Sequence, residues 1–235
     1  MSRDISVEAY TQLADRYAVL APTKAHNAYY DRPATLGLLG HVVGLEVLDC
    51  GTGTGEYAAA LAGKGARVTG LDNCPAMLLH ARNRVPRALF LCASLDGPLP
   101  FQDGRFDAIA GGLVFDYVRH WDPMFVELYR VLRPGGWLVF SIEHPASAFR
   151  LRVQEAYHAV ERQMLPWRGF GTRVNMVSWR RPLQDVLRPP LGAGFVLDEV
   201  LEPLPTEEMR HSDPRHFAEL HREPGFLCLR YRKLK

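Results

Sequence analysis

Three alternating glycines, Gly51, Gly53 and Gly55, follow a short apolar run at residues 45–50. Glycine lets the backbone turn tightly, and it lets a ligand approach the main chain closely. A strand that leads into such a loop and then into a helix is typical of a nucleotide-binding site. A plain tight turn between strand and helix is the alternative interpretation.

Two classes of nucleotide ligand use glycine-rich loops of this kind. A dinucleotide requires a third glycine three positions after the second, and Glu56 occupies that position. Asp49, directly before the loop, would repel a pyrophosphate but attract a cation. S-adenosylmethionine carries an ammonium and a sulfonium, so it suits this loop better than NAD(P) does.

A second carboxylate, Asp72, ends the next apolar run, 21 residues beyond Gly51. A carboxylate at this place can accept hydrogen bonds from both ribose hydroxyls of a nucleotide. The alternative is that Asp72 caps the helix that begins at Pro75, but we expect Asn73 to be that cap.

These residues lie at the ends of elements that alternate along the chain. Apolar runs predict strands at about 45–50, 66–72, 88–93, 105–113, 137–143, 194–202 and 225–233. Helical spacing predicts helices at about 55–63, 75–85, 121–132 and 213–222, and N-terminal helices within residues 4–43, at 4–20 and 33–43. The alternation predicts an α/β fold, a parallel sheet with helices on both faces. The pattern breaks at about 144–192, which we interpret as an insertion with one helix near 150–164.

The composition is that of an ordinary globular protein. The 235 residues are 47% hydrophobic and 23% charged with a net charge of +2, which excludes a disordered chain and gives no support to a nucleic-acid or membrane-surface binder. Length favours a single domain over 1–235. The charged N-terminus and the lack of a long apolar run favour a cytoplasmic location.

No metal site is expected from the sequence. The four cysteines form no C-x-x-C pair, which argues against zinc. His211, His216 and His221 recur at intervals of five, which places them on different faces of a helix.

Four segments in a fixed order resemble the class I S-adenosylmethionine-dependent methyltransferases. They are VLDCGTGTG (47–55), VTGLDNCPAMLLHAR (68–82), LPFQDGRFDAIAGG (99–112) and VELYRVLRPGGWLVFSIEHP (126–145). The set is similar to the small-molecule enzymes of ubiquinone and menaquinone biosynthesis. It implies a Rossmann-like seven-stranded sheet of order 3-2-1-4-5-7-6 with its last strand antiparallel. It also implies methyl transfer to an O, N or C atom of a small molecule, with S-adenosylhomocysteine as product.

The resemblance also implies roles for individual residues around the methyl donor. The methionine moiety should lie along Gly51, Thr52 and Gly53, with Asp49 supporting this loop. Asp72 should bind the ribose hydroxyls. The remaining candidates are Asn73, Met77, Ser94 and Leu95 around the adenine, the Gly111 carbonyl at the ammonium, and Tyr17 and Tyr30 as lid contacts. The family often has aspartate where Ser94 stands, so the backbone of Leu95 could replace that side chain. Helix packing is the alternative for both tyrosines.

Methyl transfer requires that the acceptor atom is aligned with the methyl group and that water is excluded. It requires a general base only when the acceptor must lose a proton. Two candidate catalytic residues follow predicted strands. His144 can take up a proton near neutral pH, although it could instead be hydrogen-bonded ahead of Pro145. Asp116 stands where many relatives have histidine and can orient a cationic acceptor, although it could be a surface carboxylate.

The acceptor is expected to be a small molecule, with the insertion aromatics Trp167, Phe170 and Trp179 as a candidate wall. Other interpretations stay open. They are an NAD(P)-dependent oxidoreductase and a cofactor-binding protein without catalytic activity. A nucleic-acid methyltransferase is weaker, because no N-P-P-[YF] tetrad follows the fourth strand and no basic domain is appended. The sequence does not indicate the oligomeric state.

Overall fold

A seven-stranded sheet of order β3-β2-β1-β4-β5-β9-β8 forms the centre of the computed structural model, which describes residues 5–150 and 156–235. Its strands are β1 (Glu46–Cys50), β2 (Arg67–Asp72), β3 (Leu89–Cys92), β4 (Phe106–Gly112), β5 (Leu132–Glu143), β8 (Val196–Leu201) and β9 (Phe226–Arg232). β1 to β5 pair in parallel, and β9 is antiparallel to both β5 and β8. The predicted order is confirmed, because β6 (Glu161–Trp167) and β7 (Val174–Arg180) form a separate hairpin.

Both faces of the central strands are buried. Along β1, Val47 packs into the hydrophobic cluster on one face of the sheet and Leu48 into the cluster on the other. Along β4, Ala108 packs into the same cluster as Val47, and Ile109 packs into the same cluster as Leu48. Successive side chains of a strand point to opposite faces, so a sheet covered on both sides requires apolar residues at consecutive positions.

Nine helices of the described residues surround the sheet and cavity. They are α1 (Ile5–Leu20), α2 (Arg32–Leu39), α3 (Glu56–Gly63), α4 (Pro75–Arg84), α5 (Trp121–Val131), α6 (Pro145–Arg150), α7 (Leu183–Gly192), α8 (Glu207–Ser212) and α9 (Pro214–Arg222). None of the helices in the described ranges is both long and apolar enough to span a bilayer.

A π-helical turn, Asn27–Asp31, leads directly into α2. The extra residue in a π-turn shifts side chains around the helix axis, and such turns are frequent at functional sites. The predicted helix over 33–43 is observed as Arg32–Leu39 and ends before Gly40, which has a φ of +74°.

The helix predicted near 150–164 is wrong where it can be compared. Residues 161–164 belong to β6, in which Gln163 is buried while Arg162 and Met164 are exposed. That alternation has the period of a strand, and β7 supplies the pairing partner. Residues 151–155 of the predicted helix lie outside the described part.

Candidate functional site

A cavity of about 840 Å³ opens at the carboxyl ends of β1, β2, β4 and β5. Residues of α1, the π-turn, the β6–β7 hairpin and α9 complete its walls. Ligands of open α/β sheets bind at this edge of the sheet. The volume lies in the upper part of the range for small-molecule sites, so it has room for more than one small ligand.

The glycine loop forms one wall of this cavity. Gly51 has a φ of +64°, and a Cβ atom there would lie 2.2 Å from the Val114 side chain, so only glycine fits. Gly53 has a φ of +55°, and a Cβ there would meet nothing nearer than the Gly51 carbonyl at 4.0 Å. The loop therefore packs against the turn after β4 at Gly51 and presents open backbone at Gly53.

Asp49 supports the loop from behind and does not line the cavity. Its side chain is 1% exposed and accepts a 2.6 Å hydrogen bond from the Thr52 hydroxyl. Burial, opposed by that hydrogen bond and reinforced by the charges of Asp72 and Glu56, raises the pKa of Asp49 to about 7. The loop therefore covers a carboxylate whose charge would be stabilised by a cation in the cavity.

Asp72 lies at the end of β2 and lines the cavity. One carboxylate oxygen accepts a hydrogen bond from the Gly53 amide at 2.9 Å, and the other accepts from the Cys74 amide at 2.8 Å. Burial raises the pKa of Asp72. A carboxylate has about four lone-pair sites, so each oxygen keeps capacity for a ligand hydroxyl.

The expectation that Asn73 caps α4 is wrong. The N-cap residue is Cys74, which makes no capping hydrogen bond with its side chain. Pro75 at the first helical position has no amide hydrogen to cap, and the Cys74 amide is already bound by Asp72. Asp72 thus accepts hydrogen bonds both from the residue at the start of α4 and from the glycine loop.

The residues expected around an adenine lie on one side of the cavity. Asn73, Met77, Ser94 and Leu95 all line it, and Met77 is only 2% exposed. Asp96 lines the same wall, and its amide donates a 3.1 Å hydrogen bond to the Ser94 hydroxyl. The sequence interpretation missed this carboxylate, although an acidic residue two positions beyond Ser94 was a visible signal.

Gly111 does not line the cavity, whereas Gly112 and Leu113 do. β4 continues through Gly112, so the strand end lies further along the chain than the resemblance implied. The Leu113 amide bonds the Ser141 carbonyl at 3.1 Å, and Leu113 has a φ of +52°, which is uncommon for a branched residue.

The two candidate lid tyrosines have different surroundings. Tyr30 does not line the cavity; it stacks on Phe226, and its hydroxyl accepts a 2.9 Å hydrogen bond from the Gly225 amide. This favours the packing alternative for Tyr30. Tyr17 does line the cavity, and its ring lies 4.4 Å from that of Phe170.

A row of aromatic rings in mutual contact lines the cavity. Tyr10 of α1, which the sequence interpretation missed, shares a 2.9 Å hydroxyl–hydroxyl bond with Tyr117 of the short 3₁₀ turn after β4. Contacts continue from Tyr10 to Tyr17, and from Phe170 to Trp167. This aromatic row, Tyr117, Tyr10, Tyr17, Phe170 and Trp167, joins α1 to the hairpin region.

Of the two catalytic candidates, only Asp116 lines the cavity. His144 Nε2 lies 2.9 Å from a Glu202 carboxylate oxygen, and Nδ1 accepts from the Ala146 amide at 3.2 Å. Because both ring nitrogens are engaged, the arrangement favours the structural alternative for His144. Asp116 accepts a 2.9 Å hydrogen bond from the Glu143 amide, and Glu143 also lines the cavity.

A basic and an acidic side chain that the sequence interpretation missed adjoin the glycine loop. Arg32 lines the cavity, and its Nε is buried without a hydrogen-bond partner in the described part of the chain. Asp31 is 1% exposed and accepts hydrogen bonds from the hydroxyls of Tyr57 and Ser141. Burial raises the pKa of Asp31. The adjacency of an acidic and a basic residue at the start of α2 was the available signal.

Comparison with known proteins identifies similar chains. The methyltransferase-domain family matches residues 48–140. The demethylmenaquinone methyltransferase of Tropheryma whipplei strain Twist is 40% identical over 137 residues, which are 57% of this chain and 56% of that protein. The malonyl-[acyl-carrier protein] O-methyltransferase of Salmonella typhimurium is 29% identical over 199 residues, 79% of this chain and 77% of that one. The chain thus spans little more than half the length of the first of these relatives.

A solved structure extends the likeness beyond the matched domain. The S-adenosylmethionine-dependent methyltransferase of Mesorhizobium loti superimposes with a TM-score of 0.69 at 26% identity. The match covers 90% of this chain and 99% of that one. It therefore includes elements that follow residue 140, where the matched domain ends.

Proposed function

We propose that this chain is a class I S-adenosylmethionine-dependent methyltransferase that transfers a methyl group from S-adenosylmethionine to a small-molecule acceptor. The observation that carries the proposal is the glycine loop with one buried carboxylate behind it, Asp49, and another beside it, Asp72. Neither carboxylate has an ion-pair partner among the described residues. A positively charged ligand supplies the missing countercharge, whereas the pyrophosphate of NAD(P) would add to the negative charge.

The donor's polar ends have matching groups on the cavity wall. The Asp72 carboxylate accepts hydrogen bonds from the ribose hydroxyls and, at the same time, from the Gly53 amide. The adenine lies against Met77, beside Ser94, Leu95 and Asp96. The Arg32 guanidinium, whose Nε is buried without a partner in the described part, binds the methionine carboxylate.

The donor supplies a methyl group that its sulfonium has already activated for in-line displacement. The chain has to hold the acceptor in line with that group and exclude water. The aromatic row lowers the amount of water at the reacting atoms, because its rings give the cavity an apolar wall between α1 and the hairpin. Asp116 and Glu143 lie together at the ends of β4 and β5, where they orient an acceptor or take its proton.

The partner of this reaction is a free small molecule in the cytoplasm. The near balance of 28 basic and 26 acidic residues supports this choice over a nucleic acid.

A thermal-shift comparison tests the choice of ligand. We expect S-adenosylhomocysteine at a large excess over its Kd to raise the Tm, because it binds only the folded protein. NAD and NADP at the same concentrations should leave the Tm unchanged. A Tm raised by NAD or NADP and not by S-adenosylhomocysteine would reverse the assignment.

A further inference from the structure

We propose that His26, Asp213 and His216 form a second site, which binds a divalent transition metal at the cavity. One ligand atom from each residue lies within 4.8 Å of the other two. Donors around a tetrahedral ion with 2.1 Å bonds are about 3.4 Å apart, so a small closing movement completes the set.

The three residues come from two elements that meet at the cavity. His26 lies in the helical turn before the π-turn, while Asp213 is the N-cap of α9 and His216 lies in its first turn. The imidazole rings of His26 and His216 are 4.7 Å apart, edge to face, and both line the cavity. A metal held here has protein on one side and the cavity on the other.

The donor atoms are of types that bind transition metals and lie close together. Neutral imidazole and ionised carboxylate are the forms that bind a metal. The Asp213 carboxylate lies 2.7 Å from His216 Nδ1, so a carboxylate oxygen and a ring nitrogen are already side by side for binding to one ion.

The ligand types define the class of metal. Two imidazoles and one carboxylate suit zinc, cobalt, nickel or ferrous iron, whereas magnesium and calcium prefer oxygen ligands. Lys24 opposes a cation, but its ammonium is held by the Gly169 carbonyl at 2.9 Å and lies over the Phe170 ring. Three protein ligands leave a coordination position open to the cavity, where an oxygen of the acceptor can bind.

A capping pair without a metal is the competing interpretation. Asp213 accepts a 3.3 Å hydrogen bond from the His216 amide, so it caps α9 whether or not a metal binds. This interpretation explains Asp213 and His216, but it does not explain why His26, from a distant part of the chain, completes the ligand set.

Titration of the tag-free, metal-stripped protein with Co²⁺ tests the site, with heat and visible absorption as readouts. We expect one equivalent to bind with the absorption of a low-coordinate cobalt ion. His26→Ala should weaken binding by at least about tenfold, and it leaves the α9 cap intact. His216→Ala should do the same. His211→Ala is the control, because this exposed histidine bonds the Glu207 carbonyl of its own helix. The His211→Ala protein should bind Co²⁺ as the wild type does.

Failure of Co²⁺ binding in folded wild-type protein would overturn the proposal, and so would binding that His26→Ala leaves unchanged. S-adenosylhomocysteine binding is measured on the same samples. Protein that binds S-adenosylhomocysteine but no Co²⁺ contradicts the metal site alone and leaves the proposed function standing.

Discussion

Buried carboxylates without basic partners are the feature of individual residues that matters most here. Ionised acids in a protein interior are normally paired, because burial disfavours the charged form. Asp49 and Asp72 are instead held by hydroxyl and amide donors, and burial raises the pKa of both. Such groups keep negative potential available for a cationic ligand.

Replacing Asp72 should weaken the binding of S-adenosylhomocysteine. We expect Asp72→Ala to cost about 1–3 kcal/mol, or roughly 5- to 150-fold in Kd, because charge-assisted hydrogen bonds to the ribose are lost. Isothermal titration calorimetry measures the change. Asp103→Ala is the matched control, since Asp103 is an exposed carboxylate paired with Arg130 outside the cavity. An unchanged Kd in folded Asp72→Ala would remove this residue from the site.

Donor binding should depend on pH through Asp49. Its pKa of about 7 in the free protein means that the carboxylate ionises between pH 6 and 8. S-adenosylmethionine has one more positive charge than S-adenosylhomocysteine and stabilises the ionised form. The preference for the donor over the product should therefore fall as the pH is lowered from 8 to 6. The fall should reach at most about tenfold, which is the ratio of the ionised fractions of Asp49 at the two pH values.

Calorimetric titrations of both ligands at several pH values give this ratio. Asp49→Asn should flatten its pH dependence while the amide oxygen can still accept from Thr52. The same raised pKa predicts that ionisation of Asp49 destabilises the free protein as the pH rises through 7. A donor-to-product preference that is constant across this range in the wild type would rule out Asp49 as the titrating group.

Tyr231 offers a test of stability in the core. Its hydroxyl is buried on β9 without a hydrogen-bond partner among the described residues. Tyr231→Phe should leave the free energy of unfolding unchanged or raise it by up to about 2 kcal/mol, because an unsatisfied polar atom is removed. Urea denaturation measures this difference. A loss of more than about 1 kcal/mol would mean that the hydroxyl has a partner.

Elements with a strong local signal were predictable, and elements defined by tertiary pairing were not. The strands and helices from 45 to 143 follow buried runs and turn residues. Their ends place Gly51 and Asp72 at the cavity and Asp49 behind the glycine loop. The β6–β7 hairpin was missed because its alternation is short and its pairing partner is a second irregular segment. Arg32, Tyr10 and His26 were missed for a related reason, since only the packing of distant elements brings them to the cavity.

The contact between α1 and the 3₁₀ turn after β4 should control access to the cavity. Tyr10→Phe removes the 2.9 Å bond to the Tyr117 hydroxyl but keeps the ring contacts. We expect S-adenosylhomocysteine to dissociate about 2- to 10-fold faster, the effect of losing one neutral hydrogen bond from the closed state. Stopped-flow fluorescence measures the rate. Tyr29 lies outside the cavity, so S-adenosylhomocysteine should dissociate from Tyr29→Phe at the wild-type rate. Equal dissociation rates from Tyr10→Phe and Tyr29→Phe would exclude α1 as a lid.

At the scale of the whole molecule, topology brings the site together. The parallel order β3-β2-β1-β4-β5 places the carboxyl ends of five strands at one edge, and the antiparallel β9 brings Gly225 and Phe226 to that edge from the end of the chain. The matched family domain supplies the sheet edge, whereas α1, the hairpin and α9 supply further walls of the cavity. We therefore expect donor binding to depend on residues 48–140 together with Arg32 and the tyrosines of α1, and acceptor selection to depend on the other surrounding segments.

A crystal structure of the protein with S-adenosylhomocysteine examines the site most directly. The nucleoside should lie against Met77 with its ribose hydroxyls on the Asp72 carboxylate, and the amino-acid portion should cross Gly51 and Gly53 toward Arg32. Density for the product elsewhere, or a different ligand seated on the glycine loop, would contradict the assignment.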